Sequence, residues 1–138
     1  MIRLIKAGDG ERLGLPGRSV LEMVSGSNGG ASVTFRVVEI PVPAPGDVQR
    51  GQHLHHGHEE CIYVLQGKGS MLCGNGPLEV QPGDVLLVPP EEPHVTRNVG
   101  EDTLVLLCFF PTPDIRRTTE DARPASGSSA ANVSRQQR

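Results

Sequence analysis

The sequence predicts an all-β fold, a sandwich or barrel of short antiparallel strands, on three observations. The 138 residues include 17 glycines and 12 prolines, punctuation too frequent for long helices. Seven or eight short apolar or alternating runs recur, with turn signals every eight to twelve residues. No helical periodicity of useful length precedes residue 112.

The strand signals follow in order. In "ASVTFRVVEIPV", residues 31–42, Val33, Phe35 and Val37 share one parity while Thr34 and Arg36 hold the other, and β-branched residues dominate. "PVPAPGD" ends that strand, because proline cannot donate to a ladder. A histidine-rich segment comes next, and "CIYVLQG" follows it as a strand. "GKG" turns, "SMLCG" is a short strand, "GNGP" turns, "LEV" continues and "QPGD" turns again. "VLLVPP" reads as a buried strand stopped by Pro89 and Pro90, and "HVTRNV" alternates. "TLVLLCFF", residues 103–110, is an apolar run suited to a core strand. Gly67, Gly74, Gly76 and Gly83 are expected at turns that need positive φ. Past residue 113 the composition shifts to Ser, Ala, Arg and Gln, with Ile115 and Val133 the only large apolar residues. The expected organisation is one domain over residues 1–113 and a flexible polar tail over 114–138, with a short docked helix possible over 115–122.

Bulk properties exclude several classes. The net charge is −3 and no basic stripe precedes the scattered arginines of the tail, so nucleic acid is not an expected partner. No stretch approaches the roughly 20 apolar residues of a membrane-spanning helix. The first residues, "MIRLIKAGDGERLGLPG", lack the continuous apolar run of a signal peptide, and a cytoplasmic protein is the expectation. Cys61, Cys73 and Cys108 form no CxxC pair, which points to reduced, buried thiols.

Four of the five histidines fall between His53 and His58, and Glu59 and Glu60 follow directly. On a strand, residues i and i+2 share a face roughly 6.5–7 Å apart. His53 and His55 at that spacing can converge on one ion at bond lengths of about 2.0–2.2 Å. His56, Gly57 and His58 then read as the turn after the strand, and Glu60 opens the next one. His94 follows a proline-stopped strand, and an antiparallel barrel can bring it beside the earlier histidines. A histidine run can also be a solvated loop with no metal.

These segments resemble the two motifs of the cupin family. "HLHHGHEECIYVLQG" is similar to the first, HxH, four residues, E, six residues, G, on His53, His55, Glu60 and Gly67. "GDVLLVPPEEPHVTRN" is similar to the second, G, five residues, PxG, two residues, H, three residues, N, on Gly83, Pro89, His94 and Asn98. Two positions depart from the pattern: Glu91 stands at the inner glycine of the second motif, and Asp47 stands where a glycine is expected six residues before His53. The motifs run from about residue 51 to 67 and from 83 to 98. The resemblance implies a double-stranded β-helix, or jelly-roll barrel, and a metal held by His53, His55, Glu60 and His94. His56 and His58 become rim residues, with one of them available as a hydrogen-bonding neighbour of the ligands. Glu59 and Arg97 are expected to face outward, as is Tyr63, against a neighbouring sheet or subunit. Asn98 is expected to support backbone, and Met71, Cys73, Phe109 and Phe110 to line core or cavity.

Three imidazoles and one carboxylate suit one divalent ion per chain. Fe(II) is favoured, and Mn(II), Ni(II), Zn(II), Co(II) and Cu(II) are compatible. Open coordination positions permit Lewis-acid activation, or joint binding of substrate and O₂. Among cupins with these ligands, dioxygenases on small oxygenated substrates are common, and oxidative cleavage is the leading expectation. A non-oxidative isomerase, lyase or cyclase is the alternative, with Glu60 doubling as base, and a non-catalytic small-molecule-binding barrel is the third reading. The resemblance also implies a homodimer, for which "GRSVLEMV" offers an edge strand.

Overall fold

The computed structural model of the chain describes residues 1–122; residues 123–138 lie outside the described part. Eleven strands and three 3-10 turns make up the described elements, and the described residues include no α-helix. No described helix is long and apolar enough to cross a membrane.

The strands are β1 (Glu11–Leu15), β2 (Arg18–Val24), β3 (Thr34–Ile40), β4 (His53–His55), β5 (Glu60–Gln66), β6 (Gly69–Leu72), β7 (Leu78–Val80), β8 (Val85–Val88), β9 (Val95–Asn98), β10 (Leu104–Phe110) and β11 (Thr119–Asp121). One sheet runs β1-β2-β3-β10-β5-β8, with every pair antiparallel. Facing it are a three-stranded sheet, β7-β6-β9, and a two-stranded one, β11-β4. The latter two join at His53 and His94, whose backbones exchange hydrogen bonds of 2.9 and 2.8 Å. Leu13, Val20, Ile62, Val64, Leu104 and Leu106 of the large sheet share one core with Met71 and Val80 of the facing strands. Burying such a side chain contributes about 1.5–3 kcal/mol. The result is the antiparallel jelly-roll barrel that the sequence predicts.

The predicted strands fall where the apolar runs stand, trimmed by a few residues at their ends. The edge strand expected in "GRSVLEMV" forms as β2, but β1 pairs along one side of it. The alternating pattern of β3 has an unexpected sense. Its inward parity is Thr34, Arg36, Val38 and Ile40, while Phe35 and Val37 lie half-buried on the outer side. The same rule places Leu104, Leu106, Cys108 and Phe110 of β10 inside and Phe109 outside, so only one phenylalanine of "LCFF" lines the interior. Cross-strand register aligns Glu22, Arg36, Cys108 and Ile62 in one row across the inner face. The thiols are free, and only Cys108 is buried; Cys61 is exposed on the outer face.

Turn chemistry explains both departures from the motif pattern. Glu91 occupies φ 66°, the left-handed region that favours glycine. The turn expected to need a glycine at 47 takes it one residue earlier, with Gly46 at φ 88°. Gly67 and Gly83 adopt positive φ as expected, whereas Gly74 and Gly76 do not.

The chain stays paired beyond residue 113. Ile115 is buried in the core and opens a 3-10 turn, Ile115–Thr118. Strand β11 then pairs with β4, Thr119 opposite His55 and Asp121 opposite His53. Residues 115–122 therefore form a turn and a strand rather than a docked helix, because β4 presents an open edge whose backbone groups need partners.

Candidate metal centre

His53 and His55 stand on β4 with ring centroids 5.0 Å apart, as the i, i+2 spacing requires. Glu60 opens β5 with an inward side chain, and His94 arrives at the bridge to β4. One ligand atom from each of the four residues lies within 4.8 Å of the others. His55, Glu60 and His94 are buried, and His53 is half-buried. His94 Nε2 is 3.1 Å and His55 Nε2 3.3 Å from Glu60 Oε1.

The neighbours of the rings set which nitrogen faces the cluster. Thr119 Oγ1 donates to the Ile115 carbonyl at 2.7 Å and therefore accepts from His55 Nδ1 at 2.8 Å. His94 Nδ1 donates to the Glu92 carbonyl at 2.8 Å. In both rings the proton sits on Nδ1, and Nε2 turns its lone pair toward the cluster in the neutral form. His55 Nε2 is buried and makes no hydrogen bond of good geometry, the state of a nitrogen that needs a further partner at the cluster. Phe110 packs edge-on against the His55 ring at 5.0 Å and limits its rotation.

Burial pushes the Glu60 carboxyl up, but the His55 and His94 rings beside it outweigh that and bring it down to about 2. Burial pulls the His94 imidazole down, and Glu60 overrides it, so the net shift is upward. Burial raises the Cys108 thiol well above its usual range, and the adjacent Glu60 carboxylate adds to the rise. The donor set of three imidazole nitrogens and one ionised carboxylate oxygen, with one nitrogen orphaned, fits a divalent metal ion.

The remaining histidines stand apart. His56 is exposed, with Nδ1 3.1 Å from Glu91 and Nε2 2.6 Å from Glu120. Those carboxylates, Glu120 first, raise its pKa. Glu91 also accepts from the Gly57 backbone at 3.0 Å, and its own N–H donates to the His55 carbonyl at 2.9 Å. His56 thus fastens the second-motif turn to β11 over the rim. His58 is half-buried and outside the cluster. Glu59 is exposed, as expected. Tyr63 faces outward at 41% exposure. Asn98 holds backbone, donating to the carbonyls of Ile40 and Asp102 at 2.9 and 2.8 Å. Arg97 is the least buried residue of β9, between the buried Thr96 and Asn98, and its side chain donates to the Arg50 carbonyl at 2.8 Å.

The four cluster residues line a cavity that opens to solvent. Val38, Ile62 and Leu106 form part of its apolar wall, and Arg18, Arg36, Arg50 and Arg116 also line it. Among the described residues Glu60 is the acidic residue lining the cavity against those four arginines, and Arg36 is paired with Glu22, so the described lining is predominantly cationic. The sequence reading missed this lining and Thr119. Arg36 sits among β-branched residues that suggest a plain strand, and Thr119 lies in a stretch with a single large apolar neighbour.

Comparison with known proteins places these features in context. The cupin-domain family profile matches residues 42–110. An uncharacterised protein from Methanocaldococcus jannaschii is 38% identical over 68 residues, covering 49% of this chain and 54% of that protein. A glucose-6-phosphate isomerase from Thermococcus onnurineus is 33% identical over 79 residues, covering 49% of this chain and 42% of that protein. The chain thus spans about half the length of these curated relatives. The structure of a candidate sugar phosphate isomerase from Acidithiobacillus ferrooxidans superposes with a TM-score of 0.58 at 30% identity, covering 78% of this chain and 73% of that one. By the matched profile and by its barrel, this chain belongs to the cupin-domain family.

Proposed function

We propose that the chain is a mononuclear divalent-metal enzyme of non-oxidative type, an isomerase or lyase acting on a small oxygenated organic compound. The observation that carries this reading is the convergence of His53, His55, Glu60 and His94 within 4.8 Å in the wall of an open cavity. The isomerase names of two similar proteins support the non-oxidative choice over the dioxygenase expected from ligand type alone. The three imidazoles and Glu60 hold the ion, which when bound supplies Lewis-acid polarisation of a substrate carbonyl or hydroxyl. Glu60 serves as a ligand and not as the base, because a carboxylate whose pKa lies at about 2 has too little affinity for a proton to abstract one at neutral pH. Thr119 and the Glu92 carbonyl orient the rings, and the walls at Val38, Ile62 and Leu106 limit water.

The working assembly in this reading is a homodimer. Tyr63, Leu65, Val85, Leu87 and Phe109 stay exposed on the outer face of the large sheet, an apolar surface that supports association with a second copy.

Turnover of a panel of small hydroxy-carbonyl compounds by Mn(II)- or Zn(II)-loaded protein, assayed without oxygen, tests the chemistry. Anaerobic product formation that chelator abolishes is the expected result. Turnover that requires Fe(II) and consumes O₂ would replace this reading with the dioxygenase.

A further inference from the structure

Arg36 is an unusual occupant of the barrel interior. Its side chain is 10% exposed, and its Nε donates to Glu22 Oε1 at 3.0 Å within the same inner row. Its guanidinium carbon lies 5.8 Å from the centre of the Phe110 ring, and Phe110 in turn packs on His55. Cys108, its neighbour on β10, lies between it and the Glu60 side of the row. Nη2 of Arg36 is buried and meets no acceptor among the described residues, although the side chain lines the same cavity as the four cluster residues. A buried guanidinium donor is normally satisfied, since leaving it unpaired costs most of its hydration. Glu22 engages Nε and leaves Nη2 outside that pair. The described cavity wall around it is cationic, with Arg18, Arg50 and Arg116 alongside and Glu60 as its acidic lining residue, while Glu22 pairs with Arg36 itself.

We propose that Arg36 is a specificity-determining residue: its Nη2 binds a carboxylate or phosphate oxygen of a substrate whose other oxygens reach the His53, His55, Glu60 and His94 centre. The inference rests on the metal-enzyme reading above and narrows its substrates to small organic anions. Glu22 is then a positioning residue that holds the guanidinium without using the substrate-facing nitrogen. Neutralising the pair together, rather than Arg36 alone, avoids leaving a buried carboxylate unpaired.

The test is calorimetric titration of Mn(II)-loaded protein with D-ribose 5-phosphate, glycolate and uncharged D-ribose, with metal content measured on every sample. In the wild type at least one anion should bind more tightly than D-ribose, and the stronger of the two identifies phosphate or carboxylate as the anchored group. The double variant Glu22→Gln/Arg36→Gln should weaken that anion about tenfold or more, with metal content unchanged. If the double variant fails to fold, Arg36→Lys takes its place; it keeps the charge, loses the fork, and should weaken the anion several-fold. Unchanged anion affinity in a folded, metal-loaded variant overturns the proposal, as does a wild type that prefers neither anion to D-ribose. Absence of metal from the wild type instead overturns the metal-enzyme reading, and the same anion titration of the metal-free protein still reports on Arg36.

Discussion

Thr119 has a precise task at the residue scale: it accepts from His55 Nδ1 while giving its own proton to the Ile115 carbonyl. Replacing it by valine keeps the shape and removes the acceptor. Thr119→Val is expected to lower metal affinity by about 10- to 100-fold with little change in fold, checked by metal titration against a fluorescent chelator. An unchanged affinity would mean that Phe110 packing alone fixes the ring. The four cluster residues were legible in the sequence because each motif is short and its spacing survives folding. His53 and His55 need only a strand, and Glu60 only the start of the next. Thr119 was not legible, since a hydroxyl hydrogen bond to a residue 64 positions earlier leaves no local pattern. Arg36 was misleading for a physical reason. Period-two reading assigns polar residues to solvent, but this barrel has a polar interior on one stretch of its wall.

At the scale of elements, strain is concentrated in the turn between β8 and His94. Glu91 holds a left-handed conformation that costs an L-residue roughly 1–2 kcal/mol relative to glycine. Its carboxylate recovers part of this through the Gly57 N–H and His56, but those contacts are exposed. Glu91→Ala keeps the strain and loses the contacts, while Glu91→Gly loses both. Glu91→Gly should therefore be the more stable variant by about 1 kcal/mol in denaturant unfolding. Equal stabilities would argue that the turn relaxes out of the left-handed region on substitution. Most strand positions were legible because turn residues bracket them. Strands β1 and β11 were not: "ERLGL" contains a mid-strand glycine, and β11 has no fully buried residue. Both exist because a neighbouring strand offers an unpaired edge.

For the molecule as a whole, the six-stranded sheet and the two smaller sheets close over a single core, and the large sheet keeps an apolar outer face at Tyr63, Leu65, Val85, Leu87 and Phe109. If that face joins two copies, Tyr63→Glu with Leu87→Glu should convert a dimer to a monomer in light scattering and leave metal content intact. A wild type that is monomeric at high concentration would remove the assembly from the account. Metal binding should also stabilise the fold by about 2.7 kcal/mol at a free ion concentration one hundred times Kd, because the unfolded chain has no assembled site.

The most direct test is elemental analysis of protein purified without added metal, compared with His53→Ala, His94→Ala, His56→Ala and His58→Ala variants. The wild type should carry about one divalent ion per chain, the first two variants should lose most of it, and the last two should match the wild type. Loss of metal from His56→Ala with retention in His94→Ala would contradict the assignment of the site to His53, His55, Glu60 and His94.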